Sequence, residues 1–201
     1  VLLFVNRRGY ARIVCCFKCS YIFTCSNCSV HLTYHKTKNI LLCHYCSHKS
    51  HYDGKCRKCG DNQLTLMGIG AEKVEEEINN IIPKAKTLLI TSDSLATTKK
   101  ETDYLHQIYN REVNVIIGTQ ILAKGLNFPY LQLVVIVDSF MYYSSDLRGV
   151  ERAYQLFHQV MGRAGRTLTR GMIILQTNDR QNPLLNSIIY QDHNKFYQLE
   201  L

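Results

Sequence analysis

Several things are scarce or missing in this 201-residue sequence, and each absence excludes something. No apolar run approaches the roughly 18 residues that a membrane-spanning helix needs; the longest, such as 131–137, are the size of strands. No basic stretch precedes the opening VLLFV and no small-residue cleavage site follows it, so the start does not read as a secretory signal. It reads as a buried strand that begins abruptly without Met, which leads us to expect a piece of a longer chain. Neither a GxxxxGK(S/T) phosphate loop nor an acidic Walker-B cluster occurs, so the chain alone is not expected to hydrolyse a nucleotide. No internal repeat or low-complexity segment is present. With 46% hydrophobic and 20% charged residues the chain is neither disordered nor fibrous. Its length suits one domain with a sizeable core, or one domain carrying a small insert.

Acidic residues are nearly absent from the first third. Residues 1–62 hold ten Lys and Arg against only Asp53 and Asp61, whereas 63–201 hold 14 of each sign. All nine cysteines lie between Cys15 and Cys59, so two regions of different chemistry meet near Leu64. Eight of the nine form C-x-x-C pairs: Cys16/Cys19, Cys25/Cys28, Cys43/Cys46 and Cys56/Cys59. Two thiolates at that spacing on a tight turn grip one face of a tetrahedral zinc, so four pairs predict two structural zinc ions. Nesting would close the 14-residue loop between Cys28 and Cys43 with an inner site and set the first and last pairs at the base. Sequential pairing, first with second and third with fourth, is the other arrangement. A disulfide framework is the competing chemistry and would need an oxidising compartment.

Cys15 reads as a strand-end residue, and His31, His35, His44, His48 and His51 read as polar surface. The block has few large apolar residues beyond Tyr21, Ile22, Phe23, Leu41 and Leu42, so metal must supply stability, on the order of 10 kcal/mol or more per site. Four thiolates on one zinc carry a formal −2, which leaves the block about +4. Lys18, Lys36, Lys38, Lys49, Lys55, Arg57 and Lys58 are interleaved with Tyr34, Tyr45 and Tyr52. That composition suits a nucleic acid or an acidic protein partner, or a plain solvated surface.

After Leu64, helical and strand periodicities alternate. Helices are expected at 71–82, 99–110, 151–161 and from about Pro183, with strands at 87–90, 113–117, 131–137 and 171–176. Strands and helices in alternation imply a parallel, doubly wound α/β sheet, with 1–5 as one more strand and the cysteine block inserted after it. Three stretches exceed what a scaffold needs. GTQILAKG at 118–125 follows a strand, where open α/β sheets hold ligands; a strand-to-helix turn would also explain its glycines. QVMGRAGR at 159–166 sets Arg163 and Arg166 three apart at a helix end, a geometry that stabilises charge on a transferring phosphoryl group. FVNRRGY at 4–10 ends the first strand with Arg7 and Arg8, which face either solvent or phosphate.

In this order the three stretches resemble the second RecA-like lobe of superfamily 2 helicases. With four C-x-x-C pairs inserted after NRRGY, the resemblance narrows to the bacterial replication-restart helicases of the primosome. It extends over essentially the whole chain, through GIGAEKVEEEI, IGTQILAKGLNFP, the strand ending at Asp138, SSDLRGVERAYQLFHQVMGRAGR and GMIILQT.

The resemblance implies a RecA-like lobe formed by 1–14 and 63–201, with an inserted two-zinc region at 15–62. It implies part of an ATP-dependent 3′–5′ DNA helicase, cytoplasmic in a bacterium, using ATP and Mg2+ in the full-length protein and two Zn2+ per chain. Gln159, Arg163 and Arg166 would reach ATP phosphates across the cleft from the chain's own first lobe, and Lys124 and Gly125 would lie at the nucleotide side. Thr119 and Gln120 would track the DNA backbone, with Arg7 and Arg8 as further DNA contacts. Asp146, Arg148, Glu151 and Arg152 match the polar linker before the arginines. The implied partners are forked and single-stranded DNA, primosome proteins and single-stranded DNA-binding protein, with no membrane. Ala71, Tyr130 and Phe140 depart from the family pattern, and the segment around Asp93 lacks its usual charges. A non-enzymatic zinc- and DNA-binding remnant is the alternative expectation.

Overall fold

A computed structural model describes residues 1–5, 8–92, 94, 98–123, 127–137, 148–165 and 170–200. The chain divides into two compact units, one of residues 1–6 and 85–201, the other of residues 7–84.

The first unit is a five-stranded sheet. Its strands are β1 (Leu2–Val5), β7 (Thr87–Ile90), β8 (Val115–Gly118), β9 (Leu133–Val137) and β10 (Met172–Leu175), in the order β10-β9-β1-β8-β7. Every pairing is parallel; Leu2, for example, faces Ile116 on one side and Val134 on the other. LLFV and VIIG are buried at every position, as a sheet covered on both faces requires. Parallel neighbours need crossovers, supplied by α2 (Thr98–Tyr109) between β7 and β8 and by α3 (Gly149–Met161) between β9 and β10. A short 3-10 turn at Gln120–Ala123 follows β8, and α4 (Pro183–Ile189) and α5 (His193–Glu200) complete the unit. Phe4, Phe128 and Phe157 are fully buried in its core with Leu2, Ile90, Leu122, Ile136 and Ile188.

The expected elements recur with shifted ends. The strand expected from Val113 begins at Val115, because Asn114 is used at the border: its Oδ1 accepts from the Lys86 amide and its carbonyl accepts from the Val1 ammonium. The last strand, expected at 171–176, runs Met172–Leu175 and is an edge strand whose Met172, Ile173 and Ile174 are exposed.

The second unit contains β2 (Ile13–Cys16) paired antiparallel with β6 (Leu64–Met67), the meander β3 (Thr33–His35), β4 (Ile40–Leu42) and β5 (Lys49–His51), and α1 (Ala71–Ile81). Its core is small: Ala11, Val14, Phe23, Leu32, Tyr34 and Leu41, with Cys25 and Cys43. Ile22, expected among the apolar residues that could pack, is exposed. Among the described residues, no helix is long and apolar enough to cross a membrane.

Candidate metal centres

Four copies of one turn build the cysteine sites. In each, the first cysteine's carbonyl accepts the N–H of the residue after the second cysteine, at 2.9–3.0 Å: Ser20 to Cys16, Ser29 to Cys25, Ser47 to Cys43 and Gly60 to Cys56. Those four residues all adopt positive φ, between 56° and 73°. The left-handed residue turns the chain back, so that the first cysteine's own N–H donates to the residue two beyond the second cysteine: Tyr21, Val30, His48 and Asp61 in turn. Amides inside three of the turns donate to a sulfur: Asn27 to Cys25, Cys46 to Cys43, and Lys58 to Cys56. Such donors favour the thiolate form that a metal requires. The signal for this turn was in the sequence as Ser, Ser, Ser and Gly directly after the four pairs.

Pairing β2 with β6 brings the first turn to the last. Cys16, Cys19, Cys56 and Cys59 then form one group and Cys25, Cys28, Cys43 and Cys46 another, with the four sulfurs of each group all within 4.8 Å of one another. Closest sulfur separations are 3.6 Å in the first group and 3.4–3.7 Å in the second. A tetrahedron with zinc–sulfur bonds of about 2.3 Å has edges of about 3.8 Å, so both groups fit zinc. All nine cysteines are free, and these separations far exceed a disulfide bond of about 2.05 Å.

The thiols within each group oppose one another. Burial pushes Cys43 up, but the amides of Cys46 and Tyr45 and the facing thiols bring it down to about 6. Burial and those thiols push its neighbour Cys28 up to about 12. In the other group Cys56 comes down to about 6 against burial, through the amides of Cys59 and Lys58. Cys59 rises to about 12, because burial and three neighbouring thiols outweigh the lowering by the Asp61 amide. Four adjacent negative charges repel, and a divalent cation at the centre removes that conflict. Cys15 belongs to neither group; its Sγ lies 3.6 Å from Met67 Sδ.

Two expectations about this region fail. His35 is buried, not surface: its Nδ1 lies 2.9 Å from Glu72 Oε1 and its Nε2 lies 3.0 Å from His44 Nε2. Glu72 Oε2 accepts the Lys36 amide and the Thr37 hydroxyl, which fastens the β3–β4 turn to the first turn of α1. Burial raises the Glu72 carboxyl, yet the His35 hydrogen bond and the backbone amides of Thr37 and Lys36 hold it below the usual carboxylate range. Tyr34 and Tyr52 also leave the basic surface: their rings pack 4.4 Å apart beside the core, and Tyr34 Oη bonds Asn39. Of the three tyrosines only Tyr45 is fully exposed.

The other expected site residues are dispersed. Thr119 is buried at the end of β8, its carbonyl accepting the Leu122 amide, whereas Gln120 is exposed. Gln159 is exposed on α3. Arg163 is half-buried just past that helix, and its guanidinium donates to the Ala123 carbonyl, so the two motifs touch there. Arg8 is half-buried in the second unit. Arg7, Lys124, Gly125, Asp138, Phe140, Asp146 and Arg166 lie outside the described residues. Gly165 of the arginine motif has a structural reason that the sequence did not reveal. Gly165 takes φ +69° as its amide reaches the Leu131 carbonyl, and a Cβ on Gly171 would strike it at 2.7 Å. Tyr130, a departure position, lies under the Arg111 guanidinium at 3.9 Å.

Fold and sulfur sites together define a parallel α/β lobe whose chain also carries a ribbon with two all-cysteine groups that fit zinc. Residues 25–51 match the model of the PriA DNA helicase Cys-rich region domain. The chain is related over its entire length to one region of replication restart protein PriA. It is 40% identical to that protein from Rickettsia typhi over 203 residues, and 32% identical to that from Bacillus subtilis over 201. Each alignment covers 100% of this chain but only 31% and 25% of the relative, so the chain spans under a third of these proteins. Among solved structures, the C-terminal domain of the DEAD-box protein Dbp5 is similar at 18% identity and a TM-score of 0.44, over 63% of this chain and 66% of that one.

Proposed function

We propose that this chain is the second lobe and zinc ribbon of an ATP-dependent 3′–5′ DNA helicase that restarts replication. The observation that carries the reading is the whole-length similarity to replication restart protein PriA, in a chain whose eight paired cysteines form two zinc-fitting groups. Within the complete protein, Gln159, Arg163 and Arg166 face the ATP and Mg2+ held by the first lobe, and the arginines offset charge developing on the transferring phosphoryl group. Lys124 and Gly125 stand at the nucleotide side. Gln120, Arg7 and Arg8 contact the DNA backbone, which binds by charge and without sequence preference, and Thr119, buried at the end of β8, positions Gln120. The cysteine-rich insert at 15–62 engages forked and single-stranded DNA, primosome proteins and single-stranded DNA-binding protein.

The test uses a protein that carries this segment behind its first lobe. Arg166→Ala is expected to lower kcat for DNA-stimulated ATP hydrolysis by about 10³-fold or more, as for other arginine fingers. An unchanged kcat overturns the assignment. The 201-residue chain by itself is expected to show no ATP hydrolysis, since it contains no phosphate loop.

A further inference from the structure

Each metal group carries one largely exposed aromatic ring. In the first group the residues between paired cysteines are Phe17 and Lys18 on one turn, and Arg57 and Lys58 on the other. In the second they are Ser26 and Asn27, then His44 and Tyr45. Phe17 is 76% exposed and Tyr45 is 82% exposed, while Phe23, Tyr34 and Tyr52 of the same unit turn inward. A single exposed apolar residue on a surface needs no explanation. Here each of the two metal sites carries one exposed aromatic inside a cysteine pair, Phe17 directly after Cys16 and Tyr45 directly before Cys46. Both are held on backbone that cannot yield easily: each ring sits between two metal-directed cysteines, and the Phe17 amide also donates to the Gln63 carbonyl at 2.9 Å.

The surroundings of the rings are cationic. Lys18, Lys49, Lys55, Arg57 and Lys58 are exposed. The Arg57 guanidinium donates to Ser50 Oγ at 2.9 Å, which joins the Phe17 group to β5, the strand following the Tyr45 turn. Positive charge therefore runs from one metal group toward the other. The only carboxylates in this stretch are Asp53 and Asp61, and Asp61 is engaged by Lys18 at 3.5 Å. Exposed flat rings set among cations match a nucleic acid strand whose bases are unpaired: the cations meet phosphate and the rings meet base faces. A duplex offers no free base face, and an apolar protein surface would leave the cations without partners.

We propose that Phe17 and Tyr45 are stacking platforms for the bases of single-stranded DNA, one on each zinc group. This rests on the DNA-binding reading above and adds to it the two residues and the part of the nucleic acid they touch.

The test compares zinc-loaded chain binding to two oligomers of equal length, one of thymidines and one of base-free deoxyribose phosphates. Phe17→Ala and Tyr45→Ala are each expected to weaken binding to the thymidine oligomer at least about fivefold, with no change toward the base-free oligomer. Both variants are expected to keep two zinc ions, so a loss of fold is visible separately. Phe17→Trp and Tyr45→Trp are expected to retain affinity. Because the chain has no tryptophan of its own, each gives a single fluorescence signal, quenched by thymidines and not by the base-free strand. Equal affinity of the parent chain for both oligomers, together with no effect of the alanine variants, overturns the stacking proposal and leaves charge-driven DNA binding standing. No binding to either oligomer at low salt overturns both readings.

Discussion

Gly118 marks a place where one atom decides a strand's position. A Cβ there would lie 2.3 Å from the Ile90 carbonyl oxygen and 2.8 Å from Leu122 Cδ1, so either the β7–β8 spacing or the turn after β8 must give way. We expect Gly118→Ala to lose about 1–3 kcal/mol of stability by urea unfolding, the usual cost of overfilling a packed site. A loss under about 0.5 kcal/mol would contradict this. Residues of this kind were only half legible. The cysteine pairs could be read because ligand spacing is local, set by a four-residue turn. The burial of His35, Tyr34 and Tyr52 could not, since β3, β4 and β5 have three residues each, too few to display a period of two. His35 also depends on Glu72, 37 positions away, and no local pattern announces that contact.

Among the elements, α3 shows how a clear helical pattern can still hide chemistry. Its buried stripe of Ala153, Tyr154, Phe157 and Val160 follows the expected spacing. His158, beside that stripe, packs between Tyr154 at 4.4 Å and His193 at 5.4 Å, and its buried Nε2 has no hydrogen-bond partner among the described residues. Burial, then the charge of His193, lowers its pKa. The unfolded chain therefore takes up this proton more readily than the folded one. The associated stability is complete above the ordinary histidine value of about 6.5 and is lost as pH falls through the lower folded value. Unfolding midpoints at pH 7.5 and 5.5 are expected to differ less in His158→Leu than in the parent chain; an equal difference would remove His158 from the account. Periodicity also located α1, α2 and the parallel strands to within two residues. It gave no warning that β10 stands at the edge, since strand order is a property of the sheet.

At the scale of the molecule, the two units owe their stability to different things. Residues 1–6 and 85–201 surround a core containing three fully buried phenylalanines, whereas 7–84 have few large apolar residues inside. Zinc supplies the difference, at about 10 kcal/mol or more per structural site. Removing metal with a chelator is therefore expected to erase amide-exchange protection in β2 to β6, while β1, β8 and β9 keep theirs. The contrast was visible in the sequence as a cysteine-rich basic third followed by a neutral, periodic remainder. The contact between the arginine motif and the turn after β8 was not, because 40 residues separate Arg163 from Ala123. The most direct test of the central claim is metal content per chain, measured by elemental analysis alongside a count of reactive thiols. Two zinc ions per chain, with Cys15 the one thiol that reacts before chelation and nine reacting after it, is the predicted result. A ratio near zero with the eight paired cysteines oxidised, or a ratio of one, would contradict it.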